Sequence, residues 1–330
     1  MRIGLFAAGL AGLFLATMLV AWFGLGEVAG GLAAAGWRGI AAIAGVHLAS
    51  ILLCAAAWRV VLPTTRPSLA TCVYARWVRE AVGNLLGVLP VAGEIVGARL
   101  LVMAGLSRRA ATASVVVDLV TESVSQAAFT LLGLVLLIAD KSEVAVEWSF
   151  VIVGAAIPAL SVVLVTRSGR ALSLVERAAQ TLARSLKVTL AVEPCSLAET
   201  VHEVFRQRSA VAASFMAHLL AWLTGGIETW LALRFMGHPI GLDSALIVES
   251  LVWAIRGAVF VVPSGIGIQE GGTIVVGALF GLSPEIALAL SLVKRARDLV
   301  LGTPALVLWQ LSEGGRIRRA LYDRIMHNNS

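Results

Sequence analysis

The chain has 330 residues, of which 58% are hydrophobic and only 14% charged, with a mean hydropathy of +0.89. Soluble domains carry roughly a quarter charged residues, so this composition excludes an ordinary soluble protein and points to one polytopic membrane unit. The formal charge of +6 is not a nucleic-acid signature, because the arginines cluster between apolar runs, where they report membrane topology.

The first apolar stretch, Ile3–Leu25, follows Met1-Arg2. It is longer than the roughly 7–15 residues of a signal-peptide core and more spans follow, so it reads as a retained transmembrane helix. Gly39–Leu62, Ala111–Ala139, Phe150–Thr166, Ser209–Met236 and Pro284–Leu311 are further spans, each approaching or exceeding the roughly 17–25 residues a crossing helix needs. Two other regions, Trp77–Leu106 and Ala245–Gly281, are apolar but broken near the middle. The breaks are Leu89-Pro90-Val91-Ala92-Gly93-Glu94 and Pro263-Ser264-Gly265-Ile266-Gly267-Ile268-Gln269-Glu270-Gly271-Gly272. Backbone freed by such a break cannot face lipid, and an intramembrane Glu is a functional hypothesis by default. Both regions are expected to form re-entrant helical hairpins, giving an all-α polytopic membrane protein of about six full spans plus two hairpins.

Lys and Arg in the loops set the expected orientation. Arg59, Arg66, Arg76 and Arg79 are read as loop charges after the second span, and Arg108-Arg109 follow the first broken region. Asp140, Glu143 and Glu147 outnumber Lys141 in the next connection, whereas Arg167–Arg208 and the tail with Arg316, Arg318, Arg319 and Arg324 are basic. Basic loops in the cytoplasm place both termini there, in a bacterial inner membrane, and send the two hairpins in from opposite faces. Within Ser168–Leu190, Leu172, Val175, Ala179, Leu182 and Leu186 fall at helical spacing, with Arg170, Arg177 and Arg184 on a shared face. A cytoplasmic amphipathic helix on the anionic leaflet is one reading and a solvated linker helix the other.

The broken regions resemble each other. Glu94, Gly105-Leu106-Ser107, Ala111, Ala113, Val117 and Glu122 are matched by Glu270, Gly281-Leu282-Ser283, Ala287, Ala289, Val293 and Asp298, all at one offset of 176 residues. Related sequence in opposite topology is the signature of inverted repeats, with sites near the bilayer midplane. The single transmembrane domain therefore divides into a first repeat over 39–139, an amphipathic loop over 167–208, a second repeat over 209–311 and a basic tail over 312–330.

Asp118, Glu122 and Gln126 are four apart and form one polar stripe. The matching stretch of the second repeat carries Ser291, Lys294, Arg295, Arg297 and Asp298. At about 2.5–3.5 kcal/mol per central charge, exposing Glu270, Lys294, Arg295, Arg297 and Asp298 to lipid would cost on the order of 15 kcal/mol, so they should face inward. One arrangement is a set of buried ion pairs between repeats, for example Asp118 or Glu122 with Lys294 or Arg295. The other is a polar groove for a charged headgroup, in which Arg79, Arg99, Arg256, Arg295 and Arg297 offer bidentate phosphate contacts and the glycine-rich breaks offer backbone N–H groups. Gly83/Gly87, Gly93/Gly97, Gly267/Gly271 and Gly277/Gly281 have the spacing that permits close helix approach. No P-loop is present, Cys54, Cys72 and Cys195 have no metal-ligand spacing, and His47 and His218 read as interhelical hydrogen-bonding groups rather than metal ligands. No cofactor, metal or nucleic acid is expected.

The stretch Leu89-Pro90 to Gly93-Glu94, then Gly105-Leu106-Ser107 and Ala113 to Glu122, resembles the membrane region of the lysylphosphatidylglycerol synthase/flippase family. Pro263-Ser264-Gly265-Ile266-Gly267-Ile268-Gln269-Glu270 is similar to that family's Pro-Gly-Gly-Leu-Gly-Val-Arg-Glu pattern. Gln269 and Ser264 depart from it, Leu119 stands where an Arg often follows the acid, and Arg99 lies two positions beyond the expected Arg. The resemblance implies lipid translocation, and with the chain ending at Ser330 a stand-alone member without the aminoacyl-transfer domain is expected. Its length and Gly93-Glu94…Gly97-Ala98-Arg99 resemble a hopanoid-associated branch.

The reading is a transporter moving a phospholipid, hopanoid or other amphiphilic lipid between leaflets, with membrane lipids as partners and a homodimer or lipid-synthesis enzymes as further ones. Arg79, Arg256, Arg295 and Arg297 would hold the anionic group, while Glu94 and Glu270 would gate or balance charge. Asp118, Glu122 and Asp298 would pair with the arginines or carry protons. Asn84, Pro90, Arg99, Pro263, Gly265, Gly267 and Lys294 complete the expected lining. The competing readings are a membrane-embedded lipid transferase or hydrolase, and a scaffold recruiting enzymes through Arg167–Arg208.

Overall fold

The computed structural model describes residues 25–62, 67–86, 91–140, 194–258 and 267–328. The expected spans Ile3–Leu25 (but for its last residue) and Phe150–Thr166, the amphipathic segment 168–190, and Pro90, Pro263 and Gly265 lie outside the described residues. Within them all regular structure is helical: α1 (Leu25–Val60), α2 (Leu69–Leu85), α3 (Ala92–Met103), α4 (Arg108–Asp140), α5 (Pro194–Arg206), α6 (Arg208–Phe235), α7 (Leu242–Ala258), α8 (Ile268–Ala278) and α9 (Pro284–Asn328).

Three stretches are long and apolar enough to cross a membrane: Ala33–Val60, Arg108–Asp140 and Arg208–Phe235. At about 1.5 Å per residue, 28 residues rise about 42 Å, more than the ~30 Å hydrocarbon core. The expected span Pro284–Leu311 is helical, but Lys294, Arg295, Arg297 and Asp298 keep it off that purely apolar standard, and the helix continues to Asn328. In α1 the helix is interrupted at Gly36, whose φ of 56° only glycine adopts without strain.

The broken regions are helix–break–helix pairs whose limbs pack on each other, α2 on α3 and α7 on α8. The breaks are displaced from their sequence-based positions. Gly93 and Glu94 already belong to α3, and Ile268–Gly272 belong to α8, because Gly267 (φ 81°) ends the interruption and Glu270 caps its N–H at 2.7 Å. Likewise α2 starts at Leu69, capped by Ser68 Oγ accepting from the Thr71 N–H at 3.1 Å. Arg76 and Arg79, expected in a loop, are therefore buried helix residues. At 12 and 11 residues, α3 and α8 rise only about 16–18 Å and cannot cross a bilayer alone.

The offset of 176 residues relates more than the motifs. Applied to α3 it gives 268–279 against the observed 268–278, and applied to the start of α4 it gives the start of α9. The turns between these helices match bond for bond. Gly105 and Gly281 both take positive φ (100° and 73°), as the αL end of a helix demands. Leu106 N–H donates to Leu101 O at 3.2 Å and Leu282 N–H to Gly277 O at 3.1 Å. Ser107 and Ser283 cap the following helices through the N–H groups of Ala110 and Ile286. Ala111, Ala113 and Val117 are fully buried, as are Ala287, Ala289 and Val293.

Packing obeys the same exchange: α1 lies on α9 as α6 lies on α4, and α2 lies on α9 as α7 lies on α4. The counterparts α1 and α6 pack together and run antiparallel, with Gly39 against Phe235 and His47 against Glu228. Tyr74 and Trp77 of α2 reach Ser312 and Leu301 of α9, and Gln126 and Gly133 of α4 reach Trp253 and Ser250 of α7, again antiparallel.

Of the small-residue pairs, Gly93 and Gly97 mark a real close approach. A Cβ on Gly93 would overlap the Arg79 carbonyl oxygen, and one on Gly97 would sit 2.9 Å from the Trp58 ring, whereas Gly83, Gly271 and Gly281 have open space. Gly93→Ala is thus expected to destabilise the purified protein by about 1–3 kcal/mol in thermal or denaturant unfolding, the usual cost of overpacking. Gly83→Ala serves as the control and should cost no stability.

Candidate functional site

The polarity of the bundle is reversed relative to a soluble protein. Leu48, Leu52, Leu131, Leu132, Val135, Ile138, Leu220, Leu299, Val300, Val307 and Leu308 are exposed, while Arg79, Asp118, Glu228, Glu249 and Glu270 are buried. Such an exterior requires hydrocarbon as solvent, and the buried charges then require partners.

Those partners form four linked groups. In the first, α2 presents Arg76 and Arg79 to α4. Arg76 grips Glu122 through two bonds of 2.7 and 3.1 Å. Arg79 donates to Asp118 at 2.5 Å and to Glu122 at 3.3 Å, and lies 3.6 Å from Glu94 on α3. Its guanidinium also covers the Trp58 ring at 5.3 Å. His218 of α6 approaches the other Asp118 oxygen at 3.0 Å, so its Nε2 carries the proton, while its buried Nδ1 has no hydrogen bond within the distance limits among the described residues.

The second group joins both halves. His47 of α1 lies between Glu80 of α2 (2.5 Å) and Glu228 of α6 (2.9 Å), and Arg297 of α9 bonds Glu228, His47 (2.8 Å) and Asp298 (2.7 Å). In the third, Lys294 bonds Glu249 of α7, which also accepts from Thr229 at 2.6 Å and Trp253 at 2.9 Å. In the fourth, Arg295 donates to Glu270 at 2.6 Å.

These pairings correct the expected partners. Asp118 and Glu122 pair with Arg76 and Arg79 of their own half rather than with Lys294 or Arg295, because α2 and α3 hold the guanidiniums against α4. The closely spaced cations of α9 diverge around its axis to four different helices, α7, α8, α6 and α1. Arg79, Arg295 and Arg297, expected as headgroup ligands, each already face a carboxylate. Arg99 is exposed on α3. Sequence reading did not single out Arg76, Glu80, Glu228 or Glu249, and gave His47 and His218 no functional part. Glu228 and Glu249 stand as lone acids within apolar runs, which was the available signal.

Arg256 differs. It stacks on Trp253 at 4.5 Å and donates to Gln269 at 3.3 Å, with no carboxylate within 4 Å among the described residues. It lines a narrow recess between α6, α7, α8 and α9, with open room for little more than a water molecule, together with Thr229, Glu249, Gln269, Thr273 and Lys294. A second, similarly narrow recess is lined by His47, Trp77, Glu80, Asn84 and Asp298. One group could hold a metal by proximity, Cys54, Glu122 and His218, whose ligand atoms lie within 4.8 Å of one another. Two guanidiniums already engage that carboxylate, so we assign no metal to it.

An all-helical bundle with an apolar exterior, spanning helices and an ion-paired interior is a polytopic membrane protein. The chain belongs to the family described as the lysylphosphatidylglycerol synthase TM region, which matches residues 9–305. No curated protein and no solved structure matches it.

Proposed function

We propose that the protein moves an amphiphilic lipid between the leaflets of a bacterial inner membrane, as a flippase- or scramblase-like transporter rather than an enzyme. The observation that carries this reading is Arg256, a cation without a carboxylate partner among the described residues, on the wall of a recess inside an otherwise ion-paired bundle. A phosphate would supply the missing anion, through the bidentate geometry that guanidinium favours. The family description, which names the membrane region of a lipid synthase, supports a lipid as the ligand. In this reading the antiparallel halves are inverted repeats, α2–α3 and α7–α8 are hairpins entering from opposite faces, and both termini are cytoplasmic. The headgroup moves along the polar interior while its tails stay in the bilayer. A phospholipid and a hopanoid both fit this description.

The test is reconstitution into liposomes with labelled lipids of several classes. Exchange between leaflets faster than in empty liposomes is expected for at least one class; rates equal to empty liposomes for every class would sink the proposal. A covalently altered lipid detected by mass spectrometry in the same liposomes would favour a transferase or hydrolase instead. Glu270→Gln should slow exchange about tenfold or more, because it removes the charge facing Arg295 and weakens the Gly267 cap, together about 1.5–3 kcal/mol. A scaffold would tolerate that change.

A further inference from the structure

We propose that His47, with Glu80 and Glu228, forms a proton-binding site through which lipid movement is coupled to a proton gradient. The proposal rests on the transport reading for its consequence but on geometry for the site itself.

Both ring nitrogens of His47 face carboxylates: Nε2 lies 2.5 Å from Glu80 Oε1 and Nδ1 lies 2.9 Å from Glu228 Oε1. Ionised carboxylates only accept, and a neutral imidazole has one N–H, so satisfying both contacts takes one proton more than neutral histidine carries. Nδ1 also lies 2.8 Å from Arg297 Nη1, a donor. The nitrogen therefore has two alternative partners. Without the extra proton it accepts from Arg297; with it, Nδ1–H donates to Glu228, and the Arg297 bond to that nitrogen must break. Arg297 then keeps Glu228 and Asp298, so no cation is stranded.

Charge balance points the same way. Among the described residues, the charged groups around His47 are three acids, Glu80, Glu228 and Asp298, and one arginine, Arg297. Unpaired charge in a low-dielectric interior costs several kcal/mol per ion, so a positive charge on the ring is wanted there. Two buried or half-buried histidines, His47 and His218, each touch an acid. His47 is the one whose geometry demands the added proton, since His218 meets a single carboxylate.

The position suits coupling. The groups facing His47 are Glu80 from α2, Glu228 from α6, and Arg297 and Asp298 from α9. These helices come from both halves, so occupancy of one site bears on their packing. His47, Glu80, Asn84 and Asp298 line the second recess, which gives a proton an approach.

The experiment has two arms. Nitrogen NMR of histidine-labelled full-length protein in phosphatidylethanolamine/phosphatidylglycerol liposomes, with the His47 signals assigned by their loss in His47→Gln, should show both nitrogens protonated at acidic pH and Nδ1 losing its proton at alkaline pH. Glu80→Gln should make the two-proton form at least tenfold less populated at any intermediate pH, and the exposed His238 gives a second histidine signal in the same spectra. In the second arm, an imposed pH gradient should change lipid exchange by wild type at least threefold and leave exchange by His47→Gln unchanged. A His47 locked in one state across the range, or wild-type exchange indifferent to the gradient, overturns the proposal. Absence of any lipid exchange together with the expected NMR titration would instead remove the transport reading and leave the proton site standing.

Discussion

Arg79→Leu is expected to cost about 3–5 kcal/mol of stability, the penalty for leaving buried charges without their partner. A polytopic protein of ordinary stability, about 5–15 kcal/mol, would lose a large fraction of it. The side chain is 4% exposed and touches three acids on two helices, of which Asp118 is wholly buried. Removing the guanidinium leaves Asp118 with His218 and only a distant Arg76 at 3.7 Å, takes one cation from Glu122 and uncovers the Trp58 face. The double variant Arg79→Leu with Asp118→Leu should be less destabilised than the sum of the singles by about 0.5–3 kcal/mol, since the second change removes the stranded charge. Unfolding in detergent micelles measures both quantities. A loss under about 1 kcal/mol for Arg79→Leu would place the pair in the class of exposed ion pairs and contradict the burial.

Arg256→Gln should do the opposite, lowering lipid exchange about 10- to 100-fold while changing stability little. Charge-assisted hydrogen bonds to an anion contribute about 1.5–3 kcal/mol, which sets the range of the rate effect. Among the described residues no carboxylate loses a direct ion-pair partner in the change, and the Trp253 stacking lost is worth about 0.5–1 kcal/mol at a partly exposed site. Arg256→Lys should fall between, because an ammonium keeps the charge without the planar fork. Parallel losses of stability and exchange in Arg256→Gln would make the arginine structural and remove the main support for a headgroup site.

Much of the architecture could be read from residue order, because lipid forbids irregular backbone and unpaired charge. The helices around Gly39–Leu62, Ala111–Ala139 and Ser209–Met236 announced themselves by apolar length, and the breaks by proline and glycine. The turns at Gly105 and Gly281 were legible because only glycine tolerates their φ, and Ser107 and Ser283 because a hydroxyl caps the next helix. Ser68 offered the same cap before Leu69, yet counting Arg76 and Arg79 with Arg59 and Arg66 as topology charges after the second span made them look like loop residues. Partner choice was beyond reach. Which acid meets Arg79 or Lys294 depends on the rotation of one helix against another, and four charges within five positions of α9 point to several neighbours at once. Glu270 was misplaced for a smaller reason: a capping carboxylate belongs to the helix it starts, not to the interruption before it.

The glycines of α3 set it apart from α8, its match at the 176-residue offset. At the offset that relates the halves, Gly93 and Gly97 of α3 correspond to Gln269 and Thr273 of α8. The glycines let α3 press its backbone onto Arg79, so that unit is shut like a seam. The longer side chains of α8 instead stand along the wall of the Arg256 recess. Two positions thus give the matching helices two characters: α3 is locked against α2, while α8 borders the Arg256 recess.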